Sequence, residues 1–217
     1  MSLSTRSLPQ RLLRAACIVA LSPLIAVAQQ APAVAKPATE LFLLVPEPRA
    51  MRTELSIVPE GSKETVLSPA REIAERPGLA TYSKEAFERL GVGVDKFAER
   101  AKAAADRLLS TLQVEWIKGA DGKVAYAVFR GDRPIMASLL VAPSLPKVFS
   151  QAFGKEIWLV LPDRHSLYVF PAKAEALVEF TGDLRERYEN EPYAASCEVF
   201  EANAETGKLR VVASYRE

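Results

Sequence analysis

An α+β fold, with a largely antiparallel sheet and helices packed on one face, is what this 217-residue chain predicts, and three features predict it. Short runs of aliphatic, β-branched and aromatic residues, bounded by turn formers, recur through the second half and read as strands. Segments with apolar residues three and four apart lie between them and read as helices. The order from residue 114 on is meander, helix, hairpin, helix, hairpin, which suits antiparallel pairing.

The first 28 residues read as an export signal. Arg6, Arg11 and Arg14 form a basic region, Ala15 to Val27 an apolar run broken only by Ser22 and Pro23, and Ala26-Val27-Ala28 a small-x-small cleavage site. The run is shorter than the ~20 apolar residues a spanning helix needs. Cleavage after Ala28 removes three arginines and no acid, leaving 25 basic against 27 acidic residues, a net charge near −2. The charges are interspersed, so the chain lacks the basic stripe of a nucleic-acid binder. Cleavage also leaves Cys197 as the only cysteine, which excludes an internal disulfide and makes a small buried apolar residue the expected role.

Residues 29–40, rich in Ala and Pro, are expected to be a flexible linker, and 41–217 a single α+β domain whose proline-rich segment is 41–80. Leu41–Val45 and Thr53–Val58 are predicted strands. Ser68-Pro69 matches a helix start, with serine as cap and proline in the first turn, and Pro77-Gly78 would stop that helix. Ser83–Leu90 is a second short helix ended by Gly91. Asp95 is expected to cap the longest helix, to about Leu112, with Phe97, Ala101, Ala105, Leu108 and Leu112 on one side. Three strands follow, VEWI from Val114, VAYAVF from Val124 and IMASLLVA from Ile135, turned at Gly119–Gly122 and Gly131–Pro134. A short helix from Ser144 to Gly154 leads to a hairpin over Glu156–Pro171. A helix from Lys173 to about Glu189 and a hairpin over Cys197–Phe200 and Leu209–Ala213 complete the chain.

With GDRPIMASLL at Gly131–Leu140 and LVLPDRHSLYVFP at Leu159–Pro171, the stretch from roughly Ala105 to Ala213 resembles the bacterial YtpQ-like family, a domain-of-unknown-function family. That resemblance implies no catalytic residues.

The residue inventory narrows the chemistry. One histidine, His165, cannot supply HExxH or most zinc sites, and CxxC, GxSxG, GxxxxGK and GxGxxG are all lacking. No cofactor, metal site or nucleic-acid partner is therefore expected, and no integral membrane segment after cleavage. The candidate binding surface is the pair of polar turns carrying Asp132, Arg133, Asp163, Arg164 and His165. A histidine beside a carboxylate titrates near neutral pH, and the turns could act together if they share one edge of the sheet. Ser144 and Lys147 match SxxK, although the serine is already explained as a helix cap. Glu175, Glu179, Asp183 and Glu186 recur at helical spacing, as a solvated face would. Trp116, Tyr126, Trp158 and Tyr168 suit a sheet core, with one ring exposed.

The expected function is that of an exported, periplasmic or secreted binding or protein-interaction module, taking a protein or small ligand without catalysis. The alternatives are a small hydrolase-type enzyme using the Asp163/His165 turn or the Ser144/Lys147 pair, and an envelope-assembly or secretion-associated factor. The last would carry an exposed apolar patch above about 400 Å².

Overall fold

The computed structural model describes residues 39–73 and 76–216. The expected signal peptide, and the linker up to residue 38, lie outside the described residues. The α+β class and the antiparallel sheet are as the sequence predicts. Strands β1 (Leu43–Pro48), β2 (Thr65–Glu72) and β3 (Leu79–Thr81) form one antiparallel sheet in that order. Strands β4 (Glu115–Lys118), β5 (Val124–Arg130), β6 (Glu156–Val160), β7 (Ser166–Pro171), β8 (Glu198–Asn203) and β9 (Leu209–Ser214) form a second sheet. Its order is β4-β5-β7-β6-β8-β9, and every pairing is antiparallel.

Several elements depart from the sequence reading. Ser68-Pro69 opens no helix and sits inside β2, the central strand of the small sheet. Seven of the eight β2 residues are buried, and that burial outweighs a cap worth about 1 kcal/mol. The proline costs little here. The Pro69 carbonyl accepts from the Tyr82 amide at 3.0 Å, just beyond the end of β3, so the missing donor faces that fraying end. Thr53–Val58 is not a strand. Ile57 alone makes a bridge to Leu67, exchanging amide bonds of 2.9 and 2.8 Å.

IMASLLVA is not the third strand of a meander either. Met136–Val141 is a 3-10 helix with all six residues buried. The run is apolar on every side, so it lacks the alternation of a half-buried strand and suits a segment enclosed all round. Its one polar member is satisfied locally, as Ser138 Oγ donates to the Ile135 carbonyl at 2.6 Å.

The helices follow their punctuation more closely. Helix α1 (Lys84–Glu88) is capped by Ser83, which accepts from the Ala86 amide at 3.2 Å. Helix α2 (Val94–Thr111) is capped by Gly93, with Asp95 in its first turn; its buried stripe of Phe97, Ala101, Ala105 and Leu108 is as predicted. Helix α3 (Leu145–Phe153) ends at Gly154. The expected single helix from Lys173 is two, α4 (Ala174–Val178) and α5 (Thr181–Asn190). The break turns Phe180 into the sheet, against Tyr126 at 4.8 Å between ring centroids. No helix among the described residues is long and apolar enough to cross a membrane.

Strand alternation divides the large sheet into two faces with a core on each, so helices cover both faces and not one. Ala127, Phe129, Leu159, Leu167 and Val169 face β1, α2 and the 3-10 helix. Val128, Val160, Tyr168 and Phe170 face Leu177 of α4 and Leu184 of α5, with Cys197 and Tyr215 beside them. Cys197 is a buried free thiol, as expected, and burial pushes its pKa up.

The loop before β2 covers the exposed edge of β9. Val211 donates its amide to the Glu60 carbonyl at 2.8 Å, and Gly61, at φ +77°, lies so close that a Cβ would sit 2.9 Å from the Val211 oxygen. Gly61→Ala is expected to lower stability by about 2 kcal/mol or more in urea unfolding, combining left-handed strain with a backbone clash. Gly207→Ala, at φ +66° with nothing within 4 Å of the added Cβ, should cost only about 1 kcal/mol.

Candidate functional site

The two polar turns share one edge of the sheet. Strand β5 ends where β7 begins, with Arg130 opposite Ser166. The Gly131 amide donates to the His165 carbonyl at 3.1 Å, and the Ala137 amide donates to the Arg164 carbonyl at 3.3 Å. His165 Nδ1 lies 3.1 Å from the Gly131 carbonyl, which can only accept, so this nitrogen carries the proton.

Four of the five predicted surface residues are engaged in tertiary bonds. Arg133 forks onto Glu72 of β2 with contacts of 2.9 and 2.7 Å. Arg164 reaches Glu47 of β1 at 2.5 Å. Asp163, only 1% exposed, accepts from the His165 amide at 2.7 Å, from Ser166 Oγ at 2.8 Å and from Arg187 of α5. Asp132 is the exposed one of the five, and it makes no side-chain bond among the described residues. Asp163 therefore contacts the backbone of His165 and not its imidazole, so the turn does not align a carboxylate–histidine relay.

Arg187 leads from this edge into a cavity of about 500 Å³ between β5, β7 and α5. Its floor is aromatic. Tyr126 stacks on Phe170 at 5.2 Å, Phe180 meets Tyr126 edge-on, and Tyr168 completes the wall. Arg187 Nη1 donates to the Tyr168 hydroxyl at 3.2 Å, and the Arg130 guanidinium stands 5.7 Å from the centre of the same ring. Asp183, Glu186, Asn190 and Glu191 line the α5 side. Burial works against the charge of Arg187, but its hydrogen bond and attraction to Asp163 outweigh that and hold its pKa above the ordinary value. Burial also raises the Tyr126 hydroxyl. The cavity can stack a flat or ring-shaped group on its floor while donors and acceptors at its edge fix orientation.

The remaining candidates separate. Ser144 donates its Oγ to Asp106 at 3.2 Å and its amide to the same carboxylate at 2.9 Å, so its partner is Asp106 and not Lys147, which is exposed. Among the acids, Asp183 and Glu186 reach the cavity rim, while Glu175 and Glu179 are exposed on and beside α4. No cluster of three or more His, Cys, Asp or Glu able to hold a metal occurs among the described residues. Of the four aromatics, Tyr126 and Tyr168 line the cavity, and Trp158 donates to Glu201 at 3.4 Å beside the same core. Trp116 is the exposed ring, on the opposite face against Phe149 and Phe153.

Sequence reasoning missed Arg130, Phe180 and Arg187. Arg130 was within reach of strand alternation, since Tyr126, Val128 and Arg130 share a face; Arg187 carries no local signal. No protein-family model, curated protein or solved structure matches the chain.

Asp163→Ala is expected to cost about 3 kcal/mol in urea unfolding, because it takes the shared acceptor from the buried Ser166 hydroxyl, the part-buried His165 amide and the Arg187 guanidinium together. Asp132→Ala should stay within about 0.5 kcal/mol of the parent.

Proposed function

We propose that this chain is an exported, non-catalytic binding module of the periplasm, and that its small-ligand site is the aromatic cavity between β5, β7 and α5. The observation that carries this reading is the use made of Asp163. Of the residues the sequence singled out, it is the one most deeply buried, and it spends its carboxylate holding Arg187 on the wall of that cavity. A side chain fixed in this way is pre-organised for recognition, which saves the ordering cost that weakens binding. The groups a hydrolase would need are not paired with one another, since Asp163 bonds the backbone amide of His165 and Ser144 bonds Asp106. The aromatic floor supports a ligand with a ring or planar face, and the mixed rim of Arg130, Asp183, Glu186 and Asn190 supports a polar edge.

Thermal unfolding of residues 29–217 with a panel of sugars, amino acids and dipeptides tests this. A bound compound at a hundred times its Kd should stabilise the protein by about 2.7 kcal/mol. The shift should disappear in Tyr126→Ala, persist in His165→Ala, and leave the compound chemically intact. Conversion of the compound to product, lost in His165→Ala or Ser144→Ala, would favour the hydrolase reading instead.

A further inference from the structure

A second cavity, also of about 500 Å³, lies on the other side of the large sheet and has an aliphatic lining where the first is aromatic. It is enclosed by β1 and β2, by α2, by the segment running from the 3-10 helix into α3, and by the β8–β9 hairpin. Its walls hold no aromatic side chain. Leu44, Leu67, Leu140, Leu145 and Leu159, each at most 6% exposed, back the cavity, and the half-buried Ile57, Ala98 and Leu209 offer it accessible apolar surface. Such a lining gives a ring nothing to stack on, while methyl and methylene groups fit it along their whole length.

The charged residues of this cavity are Asp95, Lys102 and Lys208, and all three are exposed, which puts them at the mouth. Lys102 is on α2 and Lys208 on the turn before β9, so the two lysines line the cavity from separate elements. Neither makes an ion pair among the described residues. Lysine stems can lie along an apolar wall while their ammonium heads stay in water. Asp95 is already stabilised by the N-terminus of α2, where a carboxylate is favoured, and it repels a second anion from that end. Among the residues that line this cavity, basic side chains thus exceed acidic ones by one.

We propose that this cavity binds a single-chain aliphatic carboxylate, a fatty acid anion, with the chain among the leucines and the head between Lys102 and Lys208. The site is independent of the aromatic cavity, and its occupation requires nothing of that cavity.

The test is titration calorimetry of residues 29–217 with laurate below its micelle concentration, alongside dodecanol and dodecyltrimethylammonium as neutral and cationic heads on the same chain. Laurate should bind at one site and at least tenfold more tightly than dodecanol. The double variant Lys102→Glu/Lys208→Glu, altered only at exposed positions, should weaken laurate at least tenfold and strengthen dodecyltrimethylammonium. Ala98→Trp, which fills the space from a half-buried position on α2, should abolish laurate binding with the thermal transition retained. Tyr126→Ala should leave laurate binding unchanged, which separates this site from the aromatic one. Equal affinity for the three heads, indifference to the charge reversal, or association with phosphatidylglycerol vesicles but not with monomeric laurate would each overturn the assignment.

Discussion

Asp163 and Arg164 are consecutive residues whose side chains leave the large sheet on opposite sides, and the rest of the structure hangs on that divergence. Asp163 turns toward α5 and takes Arg187; Arg164 turns toward the small sheet and takes Glu47 of β1. A tight polar turn between two buried strands thereby ties the layers on both faces of one sheet. Both carboxylates are almost wholly buried, where an unpaired charge would be costly. Each acid has an arginine as its charged partner, and Asp163 accepts in addition from the His165 amide and Ser166 Oγ.

A further polar seam joins the small sheet to the last hairpin. Glu198, 2% exposed, accepts from Ser62 Oγ at 2.6 Å and from the amides of Lys63 and Glu64 at 2.7 and 3.0 Å. Beside it Thr65 and Ser196 share a hydroxyl contact of 2.7 Å. Here no arginine is needed, because converging amide and hydroxyl donors stabilise a buried carboxylate by themselves. The loop before β2 is consequently fixed at the edge of β9, where an unpaired strand would otherwise be open to adventitious pairing.

The legible parts of the fold were those whose signal is local. Short apolar runs around Asp163–Ser166 announce the β6–β7 hairpin, and Gly91 and Gly154 mark where α1 and α3 stop. Segments decided by their surroundings were misread. The Ser68-Pro69 pair carries a true capping pattern but lies in a strand buried along nearly its whole length, and Met136–Val141 offers no period because it is enclosed on all sides. Nothing in the run from Lys173 to Glu189 marks the break at Phe180, because apolar residues at Leu177, Phe180 and Leu184 keep helical spacing across it. For the site, the sequence pointed to the two polar turns but could not assign the partners of their side chains, since Arg164 and Glu47 are 117 positions apart and Arg133 and Glu72 are 61. The Asp163–Arg187 link that positions the aromatic cavity likewise spans strand and helix.

Neighbouring residues hold separate layers, and amide hydrogen exchange can read each layer by itself. In Asp163→Asn, exchange should accelerate in α5 and be unchanged in β1. In Arg164→Ala, it should accelerate in β1 and be unchanged in α5. Equal acceleration of both elements in either variant would contradict the account, as would acceleration of neither.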